Sequence, residues 1–525
     1  MPFIRQNLEF ILPDINFVLG RGQNADRDHD PASRRMTSEI VSMSTADSRT
    51  RIRELMASSG VRFGTSGARG LVADMSDEVC YAYTAAFLHA ISASKGGVAL
   101  AMDLRPSSPR IAAACAAAIQ AAGLRVDWCG TIPTPALALY AQTQQIPAVM
   151  ITGSHIPFDR NGIKFYSASG EITKTDEAAI ANAVISVPKH GLLAELPPAK
   201  PDAHRMYMAR YLDFFPSGPL AGMKLGFYEH SSVGRDLLSE LLRALGAEVV
   251  SLGRVDEFVP IDTEAVSEAD VAQARRWAGQ YGFDAILSTD GDADRPLLGD
   301  EHGDWFRGDV AGILCAQYLG AQAVVTTVSC NTAVESCGAF SRVVRTRIGS
   351  PYVIEGIEQL IGAGIDKVVG FEPNGGFLVG SPIERDRRTL AALLTRDAVW
   401  PILSLLSMAR EAGIPVSALQ KRLPSRFTAS DRLQNFATET SRVLLQTLSA
   451  SPAAIEALLD GLCGKPIGLD QTDGLRITLK GDEIVHFRPS GNAPELRCYA
   501  EAATPARAAQ LVHDSLERLE SGRVR

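Results

Sequence analysis

A chain of 525 residues is too long for one hydrophobic core, so three or four domains are expected. The 52 basic and 60 acidic residues leave a formal charge of −8, which excludes a broad nucleic-acid-binding face but leaves room for a locally basic pocket. With 46% hydrophobic and 21% charged residues, the composition is that of an ordinary soluble globular protein.

Residues 1–60 read as an N-terminal extension, partly disordered, with a polar, turn-rich stretch at 23–31. Met36 and Met43 are alternative starts. The apolar run Phe10-Ile11-Leu12 follows Glu9 and is broken by Pro13 and Asp14, too short for a secretory segment or a membrane span. The eight cysteines form no CxxC pair or other metal-ligand spacing and read as reduced, buried thiols. Both observations point to the cytoplasm. A helical pattern from Ser48 to Ser58 leads into Phe63-Gly-Thr-Ser-Gly-Ala-Arg-Gly70. That loop offers two hydroxyls, free backbone N–H groups and Arg69 to an anion, although a plain glycine-rich turn has the same residues.

From Val98 the pattern alternates strand and helix. A strand at Val98–Met102, a loop from Asp103, an Ala-rich helix to Ala122 and a strand at Leu124–Trp128 come first. A helix near Pro135–Gln142 precedes the apolar run that starts at Ala148 and ends in Thr152-Gly-Ser-His155. Asn161-Gly162 reads as a turn before Ile163–Tyr166. The alternation restarts after a Pro-rich linker, with strands at Lys224–Tyr228, Glu248–Leu252 and Asp284–Ser288. A third round has a helix near Asp309–Leu319 and strands at Ala323–Val328 and Lys367–Gly370. From about Arg426 a helix, strands at Leu475–Leu479, Glu483–Phe487 and Leu496–Ala500 and a final helix suggest a smaller α+β domain. The expected domains are 61–196, 197–304, 305–424 and 425–525. Such alternation implies mostly parallel sheets, whose ligands gather beyond the carboxyl ends of the strands.

Four loops carry groups suited to chemistry. Ser154 and His155 lie on a tight loop after a strand, with Lys164 shortly beyond; an ordinary turn has the same composition. Asp290-Gly-Asp-Ala-Asp-Arg295 sets three carboxylates at alternating positions, which repel unless a hard divalent cation holds them. An EF-hand is rejected because its sixth position must be glycine and is Arg295, and a strand leads in. Phe371-Glu-Pro-Asn-Gly-Gly376 puts a carboxylate and an amide at a strand end, suited to adjacent sugar hydroxyls. Arg488-Pro-Ser-Gly-Asn-Ala-Pro494, with Arg497 beyond, offers a guanidinium, a hydroxyl and exposed N–H groups to a phosphate.

In this order the four loops resemble the α-D-phosphohexomutase superfamily over the chain from about Val61. The resemblance implies three similar mixed-sheet α/β domains around a central cleft, plus a smaller α+β C-terminal domain acting as a mobile phosphate-binding lid. It implies Ser154 as the phosphorylated serine and Asp290, Asp292 and Asp294 as Mg²⁺ ligands, with the serine phosphate completing the shell. Glu372, Asn374 and Gly375 then match the sugar-hydroxyl loop, and Arg488, Ser490, Gly491 and Asn492, with Arg497, the substrate-phosphate loop. His155 and Lys164 are candidates for proton handling or for stabilising the transferring group, with Arg69 and Arg295 as helpers. The sequence departs from the family pattern at Ile156, Pro373-Asn374, Ser350 and Asn492-Ala493, where Asn, Met-Ser, His and Thr-Glu are usual.

The activity implied is reversible phosphoryl transfer on mannose phosphates, with glucose phosphates beside them, through a phosphoserine enzyme and a hexose 1,6-bisphosphate intermediate that also serves as activator. Small-molecule hexose phosphates are the expected partners, with no nucleic acid or membrane, and the chain is expected to be a monomer or homodimer. A phosphoglucosamine mutase is the rival within the family; its sugar loop often reads Glu-Gln-Ser-Gly. A catalytically silent sugar-phosphate-binding protein would need neither Ser154 nor the three aspartates. A metal-dependent phosphatase would release inorganic phosphate without forming an isomer.

Overall fold

The computed structural model describes residues 48–64, 67–93, 95–490 and 494–521. The chain divides into two compact units, Met1–Ala46 and Asp47–Arg525, and the described residues all lie in the second. The polar stretch at 23–31, both alternative starts, and the candidates Gly491 and Asn492 fall outside them, as do Thr65 and Ser66.

Three sheets follow one plan. In each, a central strand (Gly97–Met102, Lys224–Tyr228 or Ala323–Thr327) lies between two parallel neighbours. The later neighbour, Ala148–Ile151, Ala285–Thr289 or Val368–Phe371, then turns straight back into an antiparallel strand. Those returns are Arg160–Ser167, Pro296–Gly299 and Phe377–Val379. The sheets are therefore mixed rather than mostly parallel. A parallel return needs a crossover of a dozen or more residues, and these loops are shorter. The plan has a functional consequence: the Ser154 loop, the aspartate loop and the Glu372 loop hold one topological place in three successive sheets. Each follows the carboxyl end of the last parallel strand.

Gly97–Met102 is a near-continuous apolar run because both of its faces are covered. Val98 and Leu100 pack with helices Asp77–Ala90 and Ser108–Ala121, while Ala99 and Ala101 pack with Thr134–Gln144. The first of these helices starts where Ser76 Oγ accepts from Val79 N, with Asp77 and Glu78 in its positive first turn.

One core runs through all three sheets, from Ala99 and Tyr140 through Tyr207 and Leu241 to Phe371 and Leu406. Burying each large side chain contributes about 1.5–3 kcal/mol, so separating the units would expose far more than any loop contact could offset. Asp397 reinforces the junction. Its carboxylate accepts from Tyr207 (2.9 Å) and Tyr211 (2.6 Å) of the second unit and from Val399 N (3.0 Å) of its own. The C-terminal sheet has a separate core, Leu445 to Leu519, and meets the third unit through polar contacts, Arg426 with Glu501 at 2.6 Å and Asn331 Nδ2 with Arg426 O at 2.8 Å.

Several boundaries differ from the sequence reading. Ser48–Arg51 is a strand paired with Val184–Val187, and the helix is Ile52–Ser59, with Ile52 fully buried. The extension expected to run to residue 60 is thus built into the first unit from Ser48 onward. Asn161-Gly162 is not a turn but part of strand Arg160–Ser167; a Cβ at Gly162 would lie 2.8 Å from Thr152 O, so close backbone approach requires the glycine. After Arg426 comes a strand, Phe427–Leu433, and the helix starts only at Thr438. That strand sits at a sheet edge and is largely exposed, so it lacks apolar alternation. Among the described residues no single helix is long and apolar enough to cross a membrane; one pair passes on composition but is bent by 93°.

Candidate active site

Ser154 is fully buried at the head of its loop, with its backbone in the left-handed region at φ 55°. For a non-glycine residue that costs of order 1–2 kcal/mol, so the surroundings must hold it there. Arg105 does so. Its buried guanidinium donates to the carbonyls of Ser154 (2.8 Å), Ile156 (2.6 Å), Pro157 (2.7 Å) and Arg160 (2.8 Å). It is itself anchored by Asp103 at 3.2 Å and lies 3.9 Å over the Phe258 ring. Gly153 is obligatory beneath it, because a Cβ there would come within 2.5 Å of the guanidinium. The loop is gripped by its backbone, which is why Ile156 can stand where the family has Asn. Arg105→Lys keeps the charge and loses the fork; kcat should fall about 100-fold through misplacement of Ser154, read by steady-state kinetics with the circular-dichroism spectrum unchanged.

The hydroxyl of Ser154 donates to Asp290 Oδ2 at 2.6 Å, and His155 Nδ1 lies 3.4 Å from the same hydroxyl oxygen. Arg295, burial and Arg69 hold the His155 imidazole far below its ordinary range, so it is neutral. Asp290, Asp292 and Asp294 are buried, with one oxygen from each lying within 4.8 Å of the others. Each carboxylate has one side tied down. Asp290 Oδ1 accepts from the N–H groups of Asp294 and Arg295 at 3.2 Å. Asp292 Oδ2 accepts from Lys164 Nζ (2.6 Å) and Thr134 Oγ1 (2.6 Å), and Asp294 Oδ2 from Lys164 (2.8 Å) and Arg396 (2.9 Å). The Oδ1 atoms of Asp292 and Asp294 are buried with no hydrogen-bond partner among the described residues. Buried anionic oxygens without donors are costly, and a hard cation is the partner that an all-oxygen set fits.

The electrostatics follow the pairing. Burial and the two neighbouring aspartates push Asp290 well up, whereas Lys164 and Thr134 outweigh burial and hold Asp292 down. Asp294 is held down against burial, chiefly by Arg396. Lys164 is pushed up because Asp292 and Asp294 outweigh its burial, so it is a firm ammonium and donor. Arg69 is also buried; burial, Arg295 and Arg396 bring it down to about 10, and its Nε has no partner among the described residues. Arg295 Nε stands 3.5 Å from Asp294 and 3.8 Å from Asp290. Crowded cations with spare donors suit a polyanionic group between them.

The third loop joins this cluster. Glu372 and Asn374 are buried, and Asn374 is held by Thr263 Oγ1 on its carbonyl (2.7 Å) and by Gly376 N on its Oδ1 (2.9 Å). Gly375 turns at φ 85°, where a Cβ would meet Pro296 at 2.8 Å. Arg396 links Glu372 to Asp294. In the fourth loop Arg488 Nε pairs with Asp473 at 2.9 Å, and Asp473 also accepts from Ile348 N at 3.0 Å. Ser490 N donates to Glu495 O at 2.9 Å, and Arg497 lines a cavity of about 340 Å³ with Asp262, Glu264 and Tyr499. Ser350, where the family has His, donates to Glu171 at 3.0 Å.

The structure thus brings Ser154, His155, Lys164, Arg69, Arg295, the three aspartates and Glu372 into one buried constellation. Sequence reasoning missed Arg105, Thr134 and Arg396. Each lies at a strand end or helix start with no glycine-rich motif around it, and only distant contacts give it a role.

Three α/β/α units presenting equivalent loops, followed by an antiparallel C-terminal unit, form the architecture of the α-D-phosphohexomutases, a superfamily of isomerases. The chain belongs to the phosphoglucomutase/phosphomannomutase family, whose alpha/beta/alpha domains I, II and III match residues 60–189, 206–303 and 307–427, and whose C-terminal domain matches residues 441–518. It is 48% identical over 470 residues to a phosphomannomutase of Salmonella muenchen, spanning 89% of this chain and 97% of that one. It is 43% identical over 488 residues to a phosphomannomutase of Sinorhizobium fredii, spanning 89% of this chain and all (100%) of the relative. In fold it is similar to a crystal structure from Thermus thermophilus described as a phosphomannomutase, with TM-score 0.71, 22% identity and coverage of 88% and 99% of the two chains. An Aspergillus fumigatus N-acetylphosphoglucosamine mutase, solved with GlcNAc-6P and magnesium, gives TM-score 0.54 at 15% identity over 91% and 100% of the chains.

Proposed function

We propose that this enzyme interconverts mannose 6-phosphate and mannose 1-phosphate, with glucose phosphates as further substrates, by way of a phosphate on Ser154 and a hexose 1,6-bisphosphate. The observation that carries the proposal is the Ser154 hydroxyl, 2.6 Å from Asp290 in a buried three-aspartate cluster with two unpartnered oxygens. The names of the relatives at 48% and 43% identity support mannose as the sugar. Asp290, Asp292 and Asp294, with the serine phosphate, would hold Mg²⁺, which supplies charge neutralisation to the transferring group.

The chain's own residues do the rest. As the sugar hydroxyl attacks phosphorus, the new O–P bond forms while the bond from phosphorus to Ser154 Oγ breaks. Lys164, Arg69 and Arg295 balance the charge on the transferring group. The hydroxyl proton passes to a neighbouring acceptor, for which neutral His155 is placed beside Ser154. Glu372 and Asn374, with Gly375 shaping the turn, take the sugar hydroxyls. Arg488, Ser490, Gly491, Asn492 and Arg497 hold the phosphate that is not reacting. The bisphosphate turns around and returns its other phosphate to Ser154. Eight unpaired cysteines support the cytoplasm as the site of action.

Coupled assays with mannose, glucose and glucosamine 1-phosphates, each primed with the corresponding bisphosphate, test the reading. Mannose 1-phosphate should give the highest kcat/KM, and release of inorganic phosphate without isomer formation would overturn it. Arg488→Ala should raise KM for both the 1-phosphate and the 6-phosphate by about 10- to 100-fold, since a charged bidentate contact made in ground and transition states alike affects binding first. A change for one isomer alone would mean that the two orientations do not share this loop.

A further inference from the structure

Arg396 lies near the end of the strand Leu393–Asp397 and is 2% exposed. Its Nε and Nη2 donate to Asp294 Oδ2 at 3.2 and 2.9 Å, and its Nη1 donates to Glu372 Oε2 at 3.2 Å. One guanidinium is therefore shared between the aspartate loop of the second unit and the sugar loop of the third, in a site with little water to screen it.

We infer that Arg396 is a positioning residue that couples cation binding at the aspartates to sugar binding at Glu372. The inference rests on the reading of those two loops given above. Asp294 has Oδ2 on Arg396 and leaves Oδ1 without a donor among the described residues, so the arginine fixes which oxygen is free. Glu372 competes for the same guanidinium. Removing charge from Glu372 leaves Arg396 to act more fully on Asp294, which weakens that carboxylate as a ligand. By reciprocity, a cation on Asp294 alters Glu372 as an acceptor for sugar hydroxyls. A lysine at this position supplies the charge but, as a point donor on a flexible stem, not the fixed two-sided fork.

A thermodynamic cycle tests the coupling. Dephosphorylated wild type, Glu372→Gln, Arg396→Lys and the double variant are titrated calorimetrically with Mg²⁺ alone. Glu372→Gln should weaken Mg²⁺ about tenfold when Arg396 is present and less than twofold in the Arg396→Lys background. Removing Mg²⁺ should likewise weaken mannose 1-phosphate binding in wild type and not in Arg396→Lys. Near-UV circular dichroism checks the fold, and Arg396→Gln closes the same cycle if lysine is not accommodated. An equal effect of Glu372→Gln in both backgrounds would assign the coupling to direct through-space charge and overturn the inference. No effect in wild type would overturn it as well. Neither result touches the mutase reading, because wild-type turnover of mannose phosphates is measured separately; absence of any Mg²⁺ binding to wild type would remove both the metal site and the inference built on it.

Discussion

Ser154→Ala should lower kcat by about 10⁴-fold or more, because it removes the hydroxyl held against Asp290 and nucleophilic catalysis fails as a unit when its nucleophile is removed. The fold should survive. Alanine has much the same backbone cost as serine at φ 55°, and Arg105 grips the loop through carbonyls that the substitution leaves in place. A change in Tm of no more than about 2–4 °C is expected for the loss of one hydrogen bond in a chain of this size. After priming with hexose 1,6-bisphosphate, intact-mass measurement should find one added phosphate on wild type and none on the variant. Wild-type turnover by the variant would exclude Ser154 as the phosphate carrier.

The second large effect lies at Asp292. Asp292→Asn should reduce kcat by about 10³-fold while moving KM less than about threefold, since the lost charge acts on the transferring group rather than on the distant phosphate. The substitution also faces an amide toward Lys164 and Thr134, so the ammonium loses one of its two anionic partners. Chelation of divalent ions should abolish wild-type turnover, and added Mg²⁺ should restore it. Full activity in excess chelator would count against a cation at this cluster, and a large rise in KM with kcat unchanged would move Asp292 from chemistry to binding.

Much of the fold was legible because it is written in local pattern. The strands Lys224–Tyr228, Glu248–Leu252 and Leu475–Leu479 have the bounds that their apolar runs give. Covered parallel strands are nearly all apolar and central antiparallel ones alternate, so periodicity finds them. Phe427–Leu433 was missed for the opposite reason: an exposed edge strand has no face to bury, and its residues give no period. Asn161-Gly162 was misread because Asn-Gly is the common signature of a turn, whereas here Asn161 bonds Ser107 and Ser108 and Gly162 lets two strands approach.

The sequence by itself determined which groups the protein could bring to a reaction. A serine on a glycine-flanked loop, three alternating aspartates, and a Glu-Pro-Asn-Gly-Gly loop are local motifs, each dictated by the turn it must make and the charge it must hold. What only the tertiary structure decided is how those charges are partnered. Lys164 lies 128 residues from Asp292 in the chain, Arg396 lies 102 from Asp294, and Thr134 lies 158 from Asp292. Contacts over such separations leave no period or spacing in the sequence. They exist because three sheets of one topology share a single core, which brings three equivalent loops to one place and leaves two aspartate oxygens without donors among the described residues.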